Sequence, residues 1–244
     1  MTAPKLSIVI ITLNEESRLP RLLDDLAAQT WADFEIIHVD SQSEDGTVAV
    51  SRGNSVRFPA YRIIEMDGRG VSRGRNTGAL AARGQRILFL DADTRLPHDF
   101  LQNAMDELDQ SGISVGILGM SAEGLPWHYK LGFAGFNVGI RLTSWFFPTA
   151  IGACLFSTSH MHRKIGGFDE SLNLCEDCNY ALKAYQLDRR SIGVLDQKFL
   201  FDPRRLEQDG FASTGLTYLR ANMRRFFVGE LRNQEIPYEF GHYK

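Results

Sequence analysis

Cysteine is scarce in this chain. Cys154, Cys175 and Cys178 are the whole complement, an odd number that makes no paired disulfide framework and fits a reducing compartment. Cys175 and Cys178 have Cys-x-x-Cys spacing with His160 and His162 upstream, but no second pair follows and Glu176 and Asp177 fill the gap, so zinc is not expected. Charge of one sign is not in excess either. With 27 Lys and Arg against 30 Asp and Glu, the net charge is -3, which excludes a polybasic nucleic-acid binder and a solvating acidic tail. Long apolar runs are also missing. The run before Thr12 is about six residues, too short for a signal-peptide core or a membrane span. The weakly polar stretch from Leu131 to Phe156 is interrupted by Asn137, Arg141, Pro148 and several glycines, which argues against a membrane helix. No internal repeat or low-complexity linker is visible, and a cytoplasmic chain without a nucleic-acid partner is the expectation.

What is present suits one large α/β domain: 244 residues, 43% of them hydrophobic, can bury a core without disulfides or metals. Periodicity places strands at Leu6–Ile11, Phe34–Val39, Tyr61–Glu65 and Ile87–Leu90, with helices at Ser17–Gln29, Thr47–Arg52 and Val71–Ala82 between them. This βαβαβαβ order predicts a mainly parallel sheet with right-handed crossovers. A helix at Asp99–Gln110, a strand at Ile113–Met120, helical pieces over Leu125–Phe147, a strand at Ala150–Ser157, a short helix at His160–Ile165 and a helix at Glu176–Gln186 complete the expected order.

Chemistry gathers where strands end. The run Arg86-Ile87-Leu88-Phe89-Leu90 stops at Asp91-Ala92-Asp93, a pair of hard oxygen donors suited to holding Mg²⁺ or Mn²⁺ against a diphosphate. Taken alone, the pair is equally readable as an acidic turn. Asp40 ends the second strand and Thr12 the first, so a parallel sheet would bring Thr12, Asp40 and Asp91 to one crevice at the strands' carboxyl ends, where open α/β sheets bind ligands. Asp40 can accept hydrogen bonds from a pyrimidine imide or a ribose hydroxyl, or merely cap a turn. Arg75 follows the Gly- and Arg-bearing segment 68–74 and suits a phosphate or nucleoside, with a structural ion pair as its alternative and solvated Arg69 and Arg73 beside it.

Five ordered blocks resemble glycosyltransferase family 2: Ser7 to Glu16, Val39 to Thr47, Arg75-Asn76-x-Gly78, Leu90 to Thr94, and Gly166-Gly167-Phe168-Asp169-Glu170 followed by Glu176-Asp177. The resemblance implies a single GT-A type domain, a nucleotide-diphosphate sugar donor (a UDP- or GDP-sugar), a divalent metal and inversion at the anomeric carbon. It further implies donor-binding residues Thr12, Asn14, Glu15, Asp40, Ser43, Arg75, Asp91, Ala92 and Asp93, with Asp93 on Mn²⁺ or Mg²⁺ and Asp91 on the ribose or on the metal through water. Asp177 would be the general base and Glu176 its support or the exchanged candidate. Cys178, Asn179 and Tyr180 follow this pair where the family often has an acidic residue and a Leu, which bears on the acceptor. The chain then divides into a donor half (1–110), an acceptor and catalytic half (111–200) and a basic-aromatic extension (201–244).

In that extension Leu216, Leu219, Met223, Phe226 and Phe227 recur at helical spacing among Arg220, Arg224 and Arg225. Such a helix can lie on an anionic membrane surface, placing the protein peripherally at the inner membrane face, or pack on the domain or in a homodimer. Arg204 or Arg205 could close over a diphosphate, and His242 could add a metal ligand if the tail folds back. A glycan or lipid-linked sugar is the expected acceptor, in cell-surface polysaccharide or glycolipid assembly. Two other readings, a sugar-nucleotide nucleotidyltransferase and a non-catalytic nucleotide-sugar-binding module, fit less well. Ile11 to Glu16 holds no Gly-rich basic triphosphate loop, and every acidic site is present.

Overall fold

Apolar runs bounded by turn residues become the centre of the sheet. The computed structural model describes residues 4–200 and 210–232. Strands β1 (Leu6–Thr12), β2 (Phe34–Asp40), β3 (Tyr61–Glu65), β4 (Arg86–Asp91), β5 (Val115–Ser121), β6 (Cys154–Thr158) and β7 (Ile192–Leu200) form one sheet in the order β3-β2-β1-β4-β6-β5-β7. Strands β1 to β4 pair in parallel, as do β5 and β7, whereas β6 lies antiparallel to both β4 and β5. The mainly parallel sheet expected from sequence is therefore present, with one reversed strand. β1 and β2 are buried along their whole length, as expected of strands covered on both faces and lacking polar alternation.

The helices are α1 (Leu19–Ala27), α2 (Thr47–Ser55), α3 (Val71–Ala81), α4 (Phe100–Ser111), α5 (Trp127–Thr143), α6 (Ser159–Lys164), α7 (Glu176–Leu187) and α8 (Phe211–Val228). One core layer packs Leu19, Leu22, Leu23 and Leu26 of α1 and Phe100, Leu101, Ala104 and Leu108 of α4 beneath Ile8, Ile10 and Leu88. The alternate side chains Val9, Ile11, Val39 and Phe89 face the other layer, with Tyr180, Ala181 and Ala184 of α7. On that side a Cβ at Gly78 would overlap Val9, so the glycine lets α3 lie directly on β1.

Three elements depart from the sequence reading. Strand β7 has no predicted counterpart: it is a half-exposed edge strand whose run is diluted by Gly193, Asp196, Gln197 and Lys198. The stretch expected as helical pieces is one continuous helix, α5, because its glycines are carried within the turns. Strand β6 begins at Cys154 and not at Ala150, since the Cys154 amide closes a turn onto the Ile151 carbonyl (3.2 Å). No helix among the described residues is long and apolar enough to cross a membrane. Arg204, Arg205 and His242 lie outside the described residues.

Candidate active site

Parallel register fixes the first part of the site. Thr12 is paired with Asp40 and Ile11 with Asp91, so the two acidic strand ends flank β1, two strand spacings or about 10 Å apart. The Thr12 hydroxyl donates to Asp40 Oδ1 (2.9 Å), and the Ser43 hydroxyl and amide donate to Oδ1 (2.6 Å) and Oδ2 (2.9 Å). Because Thr12 spends its only proton on Asp40, it accepts from His38 Nε2 (2.8 Å). His38 Nδ1 then accepts from Ser51 (2.7 Å), which accepts from Tyr61 (2.9 Å). This relay needs a neutral imidazole. Burial supplies it, lowering the His38 pKa to about 4 against the opposing pull of Asp40.

Asp40 therefore lies almost wholly buried, its carboxylate oriented by its own loop. The β1 and β2 exit loops are stitched together around it. The Asn14 amide donates to Ser43 Oγ (2.9 Å), Asn14 Oδ1 accepts from the Glu44 amide (2.8 Å), and the Glu15 amide donates to Thr47 Oγ1 (2.8 Å). The non-glycine residues with positive φ among the described residues are Asn14 (58°), Gln42 (64°) and Cys175 (60°). Two stand in these loops and the third immediately precedes Glu176, so the uncommon backbone conformations gather at the site.

Arg75 forms the second part. Its side chain is only 2% exposed, and it donates to Asp91 Oδ1 (2.9 Å) and Glu176 Oε1 (2.8 Å) while its guanidinium lies 5.3 Å from the centre of the Phe168 ring. Burial lowers the Arg75 pKa, but Asp91, Glu176 and Asp177 together outweigh it and leave the pKa raised. The Glu176 pKa is raised by burial and by Asp177, with Arg75 opposing. Arg75 thus ties the end of β4 to the start of α7. Arg69 and Arg73, by contrast, make exposed pairs with Glu44 and Asp67.

Asp177 faces backbone donors. Its Oδ2 accepts from the Gly152 amide (2.6 Å) and its Oδ1 from the Cys178 amide (2.6 Å). Gly152 has no room for a side chain, since a Cβ there would stand 2.7–3.1 Å from the Arg75 guanidinium. This residue escaped the sequence reading; its only signal is a glycine between Ile151 and Ala153 at the entrance of a strand.

Asn76 explains why two distant blocks occur together. Its Nδ2 donates to the Phe168 carbonyl (3.0 Å) and Glu170 Oε1 (2.8 Å), and its Oδ1 accepts from the Phe168 amide (2.9 Å). Gly167, at φ 67°, passes so close that a Cβ would lie 2.6 Å from Asn76 Oδ1. Phe168 stacks on Tyr180 (4.4 Å between ring centres) and Tyr180 bonds His162 (3.1 Å), whose pKa burial lowers to about 4. Cys175 and Cys178 pack with Leu174, Ala221 and Leu231, at the contact between α7 and α8.

Asp91 and Asp93 present an oxygen-only donor set bracketing Ala92, and both side chains are part-exposed. Two carboxylates fit a divalent cation of the Mg²⁺ or Mn²⁺ type, which takes one or two protein carboxylates and completes its shell from phosphate and water. Among the described residues, no three His, Cys, Asp or Glu side chains converge as a closed cage.

Comparison with known proteins agrees with this architecture. Relatives include a dolichyl-phosphate beta-glucosyltransferase of Drosophila melanogaster, 36% identical over 130 residues (46% of this chain, 40% of that protein). Another is a PGL/p-HBAD biosynthesis glycosyltransferase of Mycobacterium tuberculosis, 40% identical over 97 residues (39% and 38%). The chain thus matches about two-fifths of the length of these relatives. Among solved structures, the mannosyltransferase of Pyrobaculum calidifontis in complex with GDP-Man and Mn²⁺ superposes with TM-score 0.72 at 22% identity, covering 94% of this chain and 63% of that one. TarS 1–349 of S. aureus in complex with UDP-GlcNAc gives 0.65 at 18%, covering 93% and 68%. The shared fold is of GT-A type. Residues 7–166, which carry the β1, β2 and β4 exits, Arg75 and Gly152, match the domain described as glycosyl transferase family 2, and the chain belongs to that family.

Proposed function

We propose that the protein is a metal-dependent, inverting glycosyltransferase that moves a sugar from a nucleotide diphosphate to an acceptor hydroxyl. The observation that carries this reading is the junction made by Arg75, which holds the β4 carboxylate Asp91 against Glu176, the residue before Asp177. The GDP-Man and UDP-GlcNAc complexes of the structural neighbours support a GDP- or UDP-sugar as donor. In this reading residues 1–110 hold the donor and 111–200 the acceptor.

Asp40, oriented by Thr12 and Ser43, accepts from the nucleoside, and the laced loops bearing Asn14 and Glu15 wall that subsite. Asp93 and Asp91 would hold the divalent cation, which when bound offsets the charge of the diphosphate leaving group. Asp177 is the general base. Two backbone N–H groups fix its plane, and its remaining lone pairs take the acceptor proton. As the proton passes to Asp177, the acceptor oxygen bonds to the anomeric carbon and the carbon–oxygen bond to the diphosphate breaks. The leaving nucleotide keeps the electron pair. A single displacement of this kind inverts configuration and needs no protein nucleophile. Glu176, committed to Arg75, positions the turn.

Calorimetric titration with UDP, GDP, CDP and dTDP, with and without Mn²⁺, tests the assignment. One nucleotide should bind in a metal-dependent manner, and Asp93→Asn should abolish that binding. Asp177→Asn should keep it while lowering turnover of the matching nucleotide sugar by about 10²–10⁴-fold, the range for losing a general base. Normal turnover by the Asp177 variant would overturn the base, and binding indifferent to Mn²⁺ would overturn the metal site.

A further inference from the structure

Helix α5 is apolar on two opposite faces. Tyr129, Phe133 and Ile140 are buried against the domain, which accounts for one. Trp127, Leu131, Val138, Leu142 and Trp145, just past the helix end, are exposed and fall within about 60° of one another at 100° per residue. Helix α8 repeats the arrangement: Ala221 and Arg225 turn inward, while Leu216, Leu219, Met223, Phe226 and Phe227 are exposed along the other side. The faces are continuous, because Phe226 meets Phe146 (6.2 Å) and Phe147 (5.2 Å) edge to face. Trp127, Trp145, Phe226 and Phe227 are 72%, 83%, 51% and 73% exposed. At about 150–250 Å² per ring they alone leave on the order of 500 Å² in water, as large as the biggest apolar patch of a typical monomer.

Charge says what this surface fits. No acidic residue occurs between Glu123 and Asp169 or within α8, although the whole chain carries a net charge of -3. Lys130 and Arg141 flank the α5 stripe, and Arg220 and Arg224 flank that of α8. Arg141 pairs with Asp196 (2.6 Å), and that acid lies on β7, outside both helices. Apolar stripes containing Trp, Phe and Leu, edged by Lys and Arg and free of acids, match an anionic lipid interface, which accepts the rings and attracts the cations. A second copy of the same surface would instead bring like charges together.

We propose that α5 and α8 together form a docking face for an anionic lipid bilayer, lying in its interfacial plane. The inner side of α8 packs through Ala221 on Leu174, Cys175 and Cys178, the turn that carries Glu176 and Asp177. A docked bilayer would therefore stand about one helix diameter, roughly 10 Å, from the catalytic turn. Presentation of an acceptor from the lipid side rests on the transfer reading above. Docking does not, and it is measured with no nucleotide present.

The test is flotation of the full chain with vesicles of phosphatidylcholine alone and with about 30% phosphatidylglycerol. Partitioning should be about tenfold or more stronger on the anionic vesicles and weaken with salt. Trp145→Ser with Leu142→Ser, and separately Leu216→Ser with Leu219→Ser, should each reduce it about tenfold while leaving the melting temperature and nucleotide binding unchanged. Brominated lipid should quench Trp127 and Trp145 fluorescence in a Trp31→Phe background. Absence of vesicle binding would overturn the proposal. So would binding that survives both apolar variants, or a vesicle-independent dimer that the same variants dissolve.

Discussion

Replacing Arg75 with methionine should destabilise the fold strongly at neutral pH, and progressively less in acid. The side chain is 2% exposed and its two ion pairs, at 2.9 Å to Asp91 and 2.8 Å to Glu176, are the direct contacts that balance three neighbouring carboxylates. A unit-charge pair about 4 Å apart is worth roughly 4 kcal/mol at an effective dielectric of 20. Desolvation of the guanidinium cancels much of that gain, and removing one partner of a buried pair costs about 3–5 kcal/mol because the other charge stays buried. Methionine keeps the volume, so the loss reports charge more than cavity. The Glu176 pKa is already raised by burial and Asp177, and Arg75 is what opposes the rise. In the variant it climbs further above its unfolded value. A carboxyl with a raised folded pKa takes up a proton more readily folded than unfolded, so stability relative to wild type should recover as pH falls through that raised pKa. Urea unfolding of both proteins at pH 7.5 and 5.5 measures this, with Glu176→Gln completing a double-mutant cycle. The expected loss is about 3–5 kcal/mol at pH 7.5, smaller at pH 5.5 and partly restored by Glu176→Gln. A loss below about 1 kcal/mol, the scale of a surface pair, or one that grows in acid, would refute the assignment of Arg75 as the charge that holds the two carboxylates together.

Gly152→Ala should cost about 1–3 kcal/mol, the range for overpacking, because the new Cβ meets the Arg75 guanidinium; a melting temperature equal to wild type would contradict the packing described. The variant should also lose turnover of the matching nucleotide sugar, since the amide that orients Asp177 must shift, and full turnover would separate Gly152 from the base. His38 and His162 stay neutral in the fold with pKa values of about 4, while the unfolded chain takes up protons near pH 6.5. Their contribution is intact above about pH 6.5 and is lost as pH falls toward 4, by up to roughly 3 kcal/mol each. His38→Gln should flatten the fall of melting temperature between pH 7 and 5, and an unchanged slope would place the sensitivity elsewhere.

How much was legible in the sequence depended on how locally each feature is encoded. The exits of β1, β2 and β4 could be read because a buried parallel strand is a continuous apolar run and its end is abrupt: Thr12, Asp40 and Asp91 each mark one. Topology then brings them together without further information. Strand β7 was missed because an edge strand tolerates Gly193, Asp196 and Lys198 and loses its pattern. Arg75 could be singled out by type and neighbourhood. That it joins residues 16 and 101 positions away was not legible, since side-chain pairing across that distance leaves no periodic trace. Gly152 acts through its amide and through the side chain it lacks, neither of which a residue type declares. The stripes of α5 and α8 were present as spacing, but which stripe faces the domain is settled only by packing.

The reversal of β6 has a consequence for how this domain can diversify. Strand β5 leaves the sheet at Ser121 on the same rim as the exits of β1, β2 and β4, and β6, running backwards, re-enters there just after Gly152. Everything between, α5 and the aromatic segment after it included, is an excursion whose two feet stand side by side. Such a segment behaves as an exchangeable cassette: it can lengthen, shorten or change its outward chemistry while Gly152 keeps its hold on Asp177 and β1 to β4 keep their register. The surface presented at the rim can therefore drift independently of the strand exits that carry Thr12, Asp40 and Asp91.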